Sequence, residues 1–223
     1  MKNILIIGDG IIGMLSAIVL SNIYKNVYLV KSSKKKYYES KIDRFFSINL
    51  LSQYFFMKND IWADIAVSKP QSYNKIITWD DKIDSSLVFE SSSISYDSLG
   101  YIVKETSIID SLLNRLADIK NIVSIKDTDI KEIHDNNNTH TMIIFNGKSI
   151  ELDLILKSDK SMDIFLGSDD FKSNTVDYKQ HALVVDLFLD KNSIQNIAYQ
   201  KFIEGQIMGL LPISNNQYNL IWS

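Results

Sequence analysis

The chain has 223 residues, of which 45% are hydrophobic and 23% are charged, and its formal net charge is −3. This balance is typical of a folded globular protein and excludes collagen-like, disordered and polytopic membrane proteins. The negative charge argues against a nucleic-acid binder that neutralises phosphates. The absence of cysteine excludes disulfides, thiolate catalysis and cysteine metal sites.

The first thirty residues predict a β-α-β unit. Residues 4–7 form a continuous apolar run rich in isoleucine, which is typical of a strand buried on both faces of a parallel sheet. Residues 14–24 have helical length, and residues 26–30 return to β-branched and aromatic types. Asp9 and three glycines interrupt the apolar region, which disfavours the alternative of a secretory signal.

Further along the chain, hydrophobic spacing predicts one or two helices within 47–65 and another over 106–116. Short runs of β-forming residues predict strands at 75–79, 87–89, 122–125, 129–134, 139–145, 149–156, 182–189, 198–203, 207–211 and 218–222. Asn146-Gly147 separates two of these runs and is a strong hairpin signal, because both residues tolerate positive φ. We expect the strands after residue 176 to form an antiparallel series.

Residues 8–13 read Gly-Asp-Gly-Ile-Ile-Gly, directly after the first predicted strand and at the start of the first predicted helix. In this context the G-x-G-x-x-G pattern is typical of a dinucleotide-binding site. Gly8 permits a tight turn, Gly10 lets a diphosphate approach the backbone, and Gly13 lets the helix lie close to the strand. The amides and dipole at the helix N-terminus would then hold the anion.

These elements predict an α/β fold with a Rossmann-like, FAD/NAD(P)-binding β-α-β core and an interleaved, mainly antiparallel β-sheet. We expect the FAD-binding domain to be discontinuous, comprising residues 1–70 and 100–175. The second region, a β-sheet for the substrate that is incomplete in this chain, would comprise residues 71–99 and 176–223.

The residue expected to bind the ribose falls at the end of the second strand, where an acidic side chain normally accepts hydrogen bonds from the sugar hydroxyls. Here Lys31 occupies that position, followed by Ser32, Ser33 and Lys34. A cation with neighbouring hydroxyls suits a 2′-phosphate, so the loop by itself favours NADP over NAD or FAD. The alternative is that Lys31 points into solvent and binds nothing.

Several further segments occur in an order that is specific to one family. They are Asp43-Arg44-Phe45-Phe46-Ser47-Ile48, Asp60-Ile61-Trp62, Leu99-Gly100-Tyr101-Ile102-Val103, Asn196-Ile197-Ala198-Tyr199-Gln200-Lys201-Phe202, Gly209-Leu210-Leu211-Pro212 and Ile221-Trp222-Ser223. Over nearly all of its length, the chain thereby resembles the ubiquinone-biosynthesis hydroxylases, which are FAD-dependent aromatic-ring monooxygenases. Asp60 stands where that family has glycine.

This resemblance implies FAD as the cofactor, NAD(P)H as the electron donor, molecular oxygen, and a polyprenylated phenol as the substrate. The flavin performs the oxygen transfer, so no catalytic side chain is expected. The three glycines of residues 8–13 would contact the diphosphate, and Arg44 would lie near the flavin phosphates or ribityl chain, where a planar cation is preferred. An ion pair between Arg44 and Asp43 is the structural alternative. A lipid-tailed substrate would also favour loose membrane association, or membership of a ubiquinone-biosynthesis complex, for an otherwise cytoplasmic protein.

Three departures from the family pattern predict a truncated or degenerate member, or a fragment that requires a separate partner. Lys31 replaces the family's ribose-binding acid. Residues 158–166 retain Asp159, a cofactor-binding residue in the family's Ala-Asp-Gly motif, but lack that motif's glycine, serine and arginine. The chain also stops before the family's later Gly-Asp segment. Two other functions therefore stay open: an NADP(H)-binding reductase domain, suggested by Lys31, and a non-catalytic protein that retains the fold. The three histidines, His134, His140 and His181, lack metal-ligand spacing, so no metal site is predicted.

Overall fold

The computed structural model describes residues 2–33, 43–136, 139–144, 146–159, 176–189 and 196–223. The chain divides into two compact units, Met1–Lys41 with Ile108–Thr175 and Ile42–Ser107 with Val176–Ser223. The first two boundaries between the units follow residues 41 and 107, whereas the sequence predicted them after residues 70 and 99. The difference arises because the segment after residue 42 folds into its own small sheet within the second unit.

The elements are numbered in chain order. The strands are β1 (Asn3–Ile7), β2 (Asn26–Lys31), β3 (Phe45–Asn49), β4 (Gln71–Tyr73), β5 (Lys75–Asp80), β6 (Ser86–Glu90), β7 (Gly100–Lys104), β8 (Ile122–Lys126), β9 (Ile130–Asn136), β10 (Thr139–Ile144), β11 (Ser149–Leu152), β12 (Leu154–Lys157), β13 (Leu183–Phe188), β14 (Ile197–Ile203), β15 (Gln206–Ser214) and β16 (Gln217–Trp222). The α-helices are α1 (Ile11–Leu20), α2 (Leu50–Lys58), α3 (Trp62–Val67) and α4 (Glu105–Ala117). Among the described residues, no helix is both long and apolar enough to cross a membrane.

The first unit contains a parallel sheet with the strand order β12-β1-β2-β8. Residues 4–7 of β1 are fully buried, as expected for a central strand covered on both faces. Helix α1 packs on β1 and β2, which confirms the predicted β-α-β unit. The helix begins at Ile11, three residues earlier than predicted. Its first turn includes Gly13, which lies on the buried face of the helix.

An antiparallel sheet, β11-β10-β9, covers one face of the parallel sheet. Their shared core contains Leu5, Ile7 and Val30 from the parallel sheet and Met142 from β10. The predicted hairpin is present at Gly147, whose φ of +79° suits glycine.

The run 149–156, predicted as one strand, is divided between two sheets. The break falls at Asp153, whose amide donates to Asn3 O at 2.9 Å and whose carboxylate accepts from Asn3 N at 2.7 Å. Strand β11 therefore pairs with β10, whereas β12 pairs in parallel with β1. The break depends on a contact between Asp153 and Asn3, which lie far apart in the sequence, so the hydrophobic periodicity of residues 149–156 could not predict it.

The second unit has a six-stranded sheet with the order β13-β16-β15-β14-β5-β6. The strands after residue 176, β13 to β16, pair antiparallel, as predicted. Strand β5 pairs antiparallel with β6 and parallel with β14. A smaller sheet, β3-β7-β4, contributes Tyr73 and Ile102 to a core with Ala198 of the larger sheet. Residues 45–49, predicted in part as helix, form the edge strand β3 and then lead into α2 through Asn49, whose side chain caps the helix by accepting from Ser52 N at 2.8 Å.

Tyr218 gives this sheet a pH-dependent contribution to stability. Its ring is 8% exposed and its hydroxyl donates to Ile197 O at 3.3 Å. Burial, with a smaller contribution from Tyr199, raises the pKa of Tyr218 to about 12 from its ordinary value of 10.0. The folded state therefore favours the neutral phenol, and this stabilisation is complete below pH 10 and is lost as the pH rises towards 12.

We expect the free energy of unfolding of the wild type to fall more steeply between pH 10 and 12 than that of Tyr218→Phe, because the substitution removes this titration. Urea unfolding at several pH values would measure the difference. Tyr178→Phe is the control, since Tyr178 is 80% exposed and should behave like the wild type. Parallel pH profiles for the wild type and Tyr218→Phe would contradict the assignment.

Candidate nucleotide-binding site

The candidate site begins at the turn between β1 and α1. Gly8 adopts a φ of +119°, a conformation that side-chain-bearing residues rarely adopt, and its amide donates to Val30 O at 3.3 Å. The turn is therefore tied to β2 as well as to β1. A tight turn at Gly8 is what the sequence predicted.

The carboxyl end of β12 packs directly against this turn. The amide of Ser158 donates to Ile7 O at 2.8 Å. Its hydroxyl Oγ lies 3.1 Å from the carbonyl oxygen of Ile7 and 3.3 Å from that of Gly8, so its one proton is shared between these two acceptors. A Cβ at Gly8 would lie 2.5 Å from Ser158 Oγ, and a Cβ at Gly13 would collide with the carbonyl oxygen of Gly8. Gly8 and Gly13 are thus required for the contact between turn, helix and strand, before any ligand is considered.

Gly10 forms the N-cap of α1, with φ −71° and ψ 178°. The first helical hydrogen bond runs from Met14 N to Gly10 O at 2.9 Å, so the amides of Ile11, Ile12 and Gly13 have no partner within the helix. The first turn carries no acidic side chain, and no side chain caps the helix. A bare backbone with outward amides at the positive end of the helix dipole fits the diphosphate of a dinucleotide.

Asp159, which the sequence placed in the cofactor site, lies beside this turn. Its amide donates to Ile7 O at 3.2 Å, and its Cβ would be 2.7 Å from a Cβ at Gly8. The remainder of its motif, residues 160–166, lies outside the described residues. Ser158 was not predicted as part of the site, because only the contact made by folding shows that its hydroxyl meets the turn.

The end of β2 has a different environment from the one its sequence suggested. Lys31 is half-buried and pairs in register with Lys126 of β8. Beyond them, Ser33 N donates to Asp127 Oδ1 at 3.0 Å, so an acidic side chain does lie next to the loop after β2. It comes from the neighbouring strand and is 94 residues away in sequence. Lys34 lies outside the described residues.

Arg44 belongs to the second unit, just before β3. Its Nη1 lies 3.2 Å from Glu105 Oε1, its guanidinium stacks over Phe46 at 5.5 Å, and its side chain is 61% exposed. Asp43 instead pairs with Lys104 at 2.8 Å, so the alternative of an Arg44–Asp43 ion pair is not what the structure shows. Arg44 keeps donors for a ligand, since one exposed ion pair uses only part of its five-donor fork.

The second unit also holds a cavity of about 330 Å³ against one face of its large sheet. Its lining is mainly apolar and includes Ile76, Ala198 and Leu211, with Ser47 Oγ and Tyr73 OH joined by a 2.8 Å hydrogen bond. Three other large aromatic residues of this unit do not line the cavity: Trp79 contacts Tyr199 edge-on, Tyr101 contacts Trp62, and Phe89 is 52% exposed. In the described ranges, no three potential ligand side chains converge as a metal site.

Comparison with known proteins identifies the relatives of this chain. It is 24% identical over 171 residues to the ubiquinone biosynthesis monooxygenase COQ6 of Danio rerio, covering 73% of this chain and 35% of that protein. It is also 24% identical over 257 residues to the protein of the same name from Dictyostelium discoideum, covering 99% and 52%. Ubiquinone hydroxylase UbiM of Neisseria meningitidis is 25% identical over 127 residues, which cover 56% of this chain and 27% of that protein. The chain is thus similar in sequence to proteins named as ubiquinone-biosynthesis hydroxylases.

Solved structures with a similar fold are flavin-dependent monooxygenases by their descriptions or names. PqsL of Pseudomonas aeruginosa, described as a probable FAD-dependent monooxygenase, matches with a TM-score of 0.68 at 13% identity, over 99% of this chain and 60% of that one. p-Nitrophenol 4-monooxygenase PnpA of Pseudomonas putida also gives 0.68, at 12% identity, over 99% and 58%. No family model matches the chain. The predicted α/β fold with a Rossmann-like core is confirmed, and the chain spans about half the length of the curated hydroxylases that it matches.

We expect Gly8→Ala and Gly13→Ala each to lower the free energy of unfolding by about 1–3 kcal/mol, from backbone strain at Gly8 and steric overlap at Gly13. Gly10→Ala is the matched control. Its backbone angles are open to any residue, so its effect should stay within about 1 kcal/mol. Urea unfolding without ligand would test this order, and equal losses at all three glycines would contradict it.

Proposed function

We propose that this chain is the FAD-binding part, with the adjoining substrate sheet, of a monooxygenase that hydroxylates a polyprenylated phenol in ubiquinone biosynthesis, with NAD(P)H as the electron donor. The observation that carries the proposal is the start of α1 behind the turn at Gly8, where the N-cap residue has no side chain and the first helical turn has no acidic residue. The names of the curated relatives support the reaction class.

The residues of the first unit would bind the cofactor by its diphosphate. The amides of Ile11, Ile12 and Gly13 would donate to the phosphate oxygens, and the absence of a side chain at Gly10 would let those oxygens reach the backbone. Ser158 would act indirectly, because its hydrogen bonds to Ile7 and Gly8 hold the turn in shape. Bound FAD would supply the oxygen chemistry, with electrons from NAD(P)H.

The second unit would contribute a surface for the aromatic ring. Its cavity presents apolar side chains, which exclude water, and one polar pair, Ser47 and Tyr73. A hydroxyl of the phenol could exchange hydrogen bonds with that pair while the ring packs on Ile76 and Leu211. Arg44 would add a cation for the phosphates or ribityl chain of the flavin.

Membrane contact follows from the same proposal. A polyprenyl tail partitions into lipid, so its enzyme must meet a membrane surface or receive the substrate within a complex. Several of the curated relatives are described as mitochondrial, and a cytoplasmic location for this chain stays a prediction. The reductase and the non-catalytic alternatives are not favoured, because the named relatives are monooxygenases.

We expect the purified chain to bind FAD, measured by quenching of flavin fluorescence, and Gly10→Val to weaken binding at least about tenfold, since the valine side chain would occupy the space of the diphosphate. Ile12→Ala is the control. The Ile12 side chain is 63% exposed and only its amide is needed, so affinity should stay within about threefold.

Titration with NADP in the same assay separates the alternatives. Binding of FAD with no competition by NADP supports the proposal. Binding of NADP but not FAD would replace it with the reductase function, and a folded chain that binds neither would leave the non-catalytic role.

A further inference from the structure

Three strand ends meet at one edge of the parallel sheet. The order β1-β2-β8 places the glycine turn, then Lys31, then Lys126 side by side, because all three strands run in the same direction. Gly8 N reaches back to Val30 O, one residue before Lys31. The next residue after β8 is Asp127, which lies half-buried beyond the end of β2.

The carboxylate of Asp127 is held in place by backbone amides. Oδ1 accepts from Ser33 N at 3.0 Å and from Thr128 N at 2.8 Å. Bonds to main-chain donors hold the carboxylate against the loop after β2 whatever side chains that loop carries. Lys31 and Lys126, the last residues of β2 and β8, are register partners immediately before this turn.

The position of Asp127 places a carboxylate near the end of β2, which has no acidic side chain of its own. In β-α-β dinucleotide sites the diphosphate lies at the turn after the first strand, and the adenosine ribose lies at the end of the second, where a carboxylate accepts from its hydroxyls. The side chain at the end of β2 is a cation, yet the carboxylate of Asp127 lies two residues further on, at Ser33.

We propose that Asp127 is the residue that accepts hydrogen bonds from the adenosine ribose hydroxyls of the bound dinucleotide, in place of an acid on β2. This rests on the proposed function, since it assumes that the diphosphate binds at α1. The same carboxylate repels a 2′-phosphate, so the site selects FAD over NADP despite Lys31. On this proposal Lys31 has no phosphate to bind.

The experiment measures dissociation constants of the full chain by calorimetry for FAD, ADP, 2′-deoxy-ADP, 3′-deoxy-ADP and inosine diphosphate. For the wild type, removing a ribose hydroxyl should weaken ADP binding about tenfold, as expected for a hydrogen bond to a charged group. Asp127→Asn should weaken FAD and ADP about tenfold and bring the deoxy analogues close to ADP. It should also bind adenosine 2′,5′-bisphosphate more tightly than the wild type does.

Asp129→Asn is the matched control, because Asp129 is exposed in the same turn and the substitution removes the same charge. It should keep the wild-type ratio between ADP and its deoxy analogues. Asp127→Asn retains an acceptor for Ser33, and thermal unfolding of both variants checks that the turn is intact.

Three results would overturn the inference. Asp127→Asn could bind FAD as tightly as the wild type, or lose affinity with an unchanged ratio between ADP and the deoxy analogues, which is the behaviour of a purely structural residue. The third is a loss of selectivity against inosine diphosphate alone, which would assign Asp127 to the adenine. A wild-type chain that binds neither FAD nor ADP would instead overturn the proposed function, so the two failures are distinguishable.

Discussion

The packing of the β12 end against the β1–α1 turn is the constraint on which the first unit depends. Ser158 can donate to the carbonyls of Ile7 and Gly8 only if the helix and the turn approach closely, and that approach leaves no room for a Cβ at Gly8 or Gly13. The sheet order follows from the same contact, because it fixes β12 as the neighbour of β1. The direction of α1, and hence of the first-turn amides that make no bond within the helix, is set by packing within the protein.

The glycines of the motif therefore carry different information. Gly8 and Gly13 are needed by any chain that folds this way, with or without a ligand. Gly10 has ordinary backbone angles, so its lack of a side chain has no explanation in its own conformation. In the motif, Gly8 and Gly13 indicate the fold, and Gly10 indicates a ligand. The helix start at Gly10, which has no side-chain cap, therefore supports a nucleotide more than the presence of all three glycines does.

Local patterns were sufficient for the elements whose causes are local. The buried run at residues 4–7, the amphipathic stripe of α4 and the Asn146-Gly147 hairpin were all predicted from neighbouring residues. The failures have distant causes. Asp153 breaks a predicted strand because it bonds to Asn3. The tail strands pair antiparallel as predicted, but the parallel neighbour on the other side of β14, which is β5, lies far away in the sequence and was not predicted. The spacing of residues within one segment cannot predict either distant partner, Asn3 or β5.

The same distinction applies to the site, and it changes how Lys31 is understood. Taken alone, a lysine at the end of the second strand suggests a 2′-phosphate, because its charge is considered without its surroundings. In the folded sheet its register partner is another lysine, and a carboxylate fixed by backbone amides lies just beyond both. An added 2′-phosphate would bring two more negative charges next to a carboxylate whose hydrogen bonds prevent it from turning away, whereas a ribose hydroxyl brings a donor to the same oxygens. If Asp127 binds the ribose as proposed, dinucleotide selectivity depends on the strand ends together, and the cation at the end of β2 is offset by the acid that follows β8.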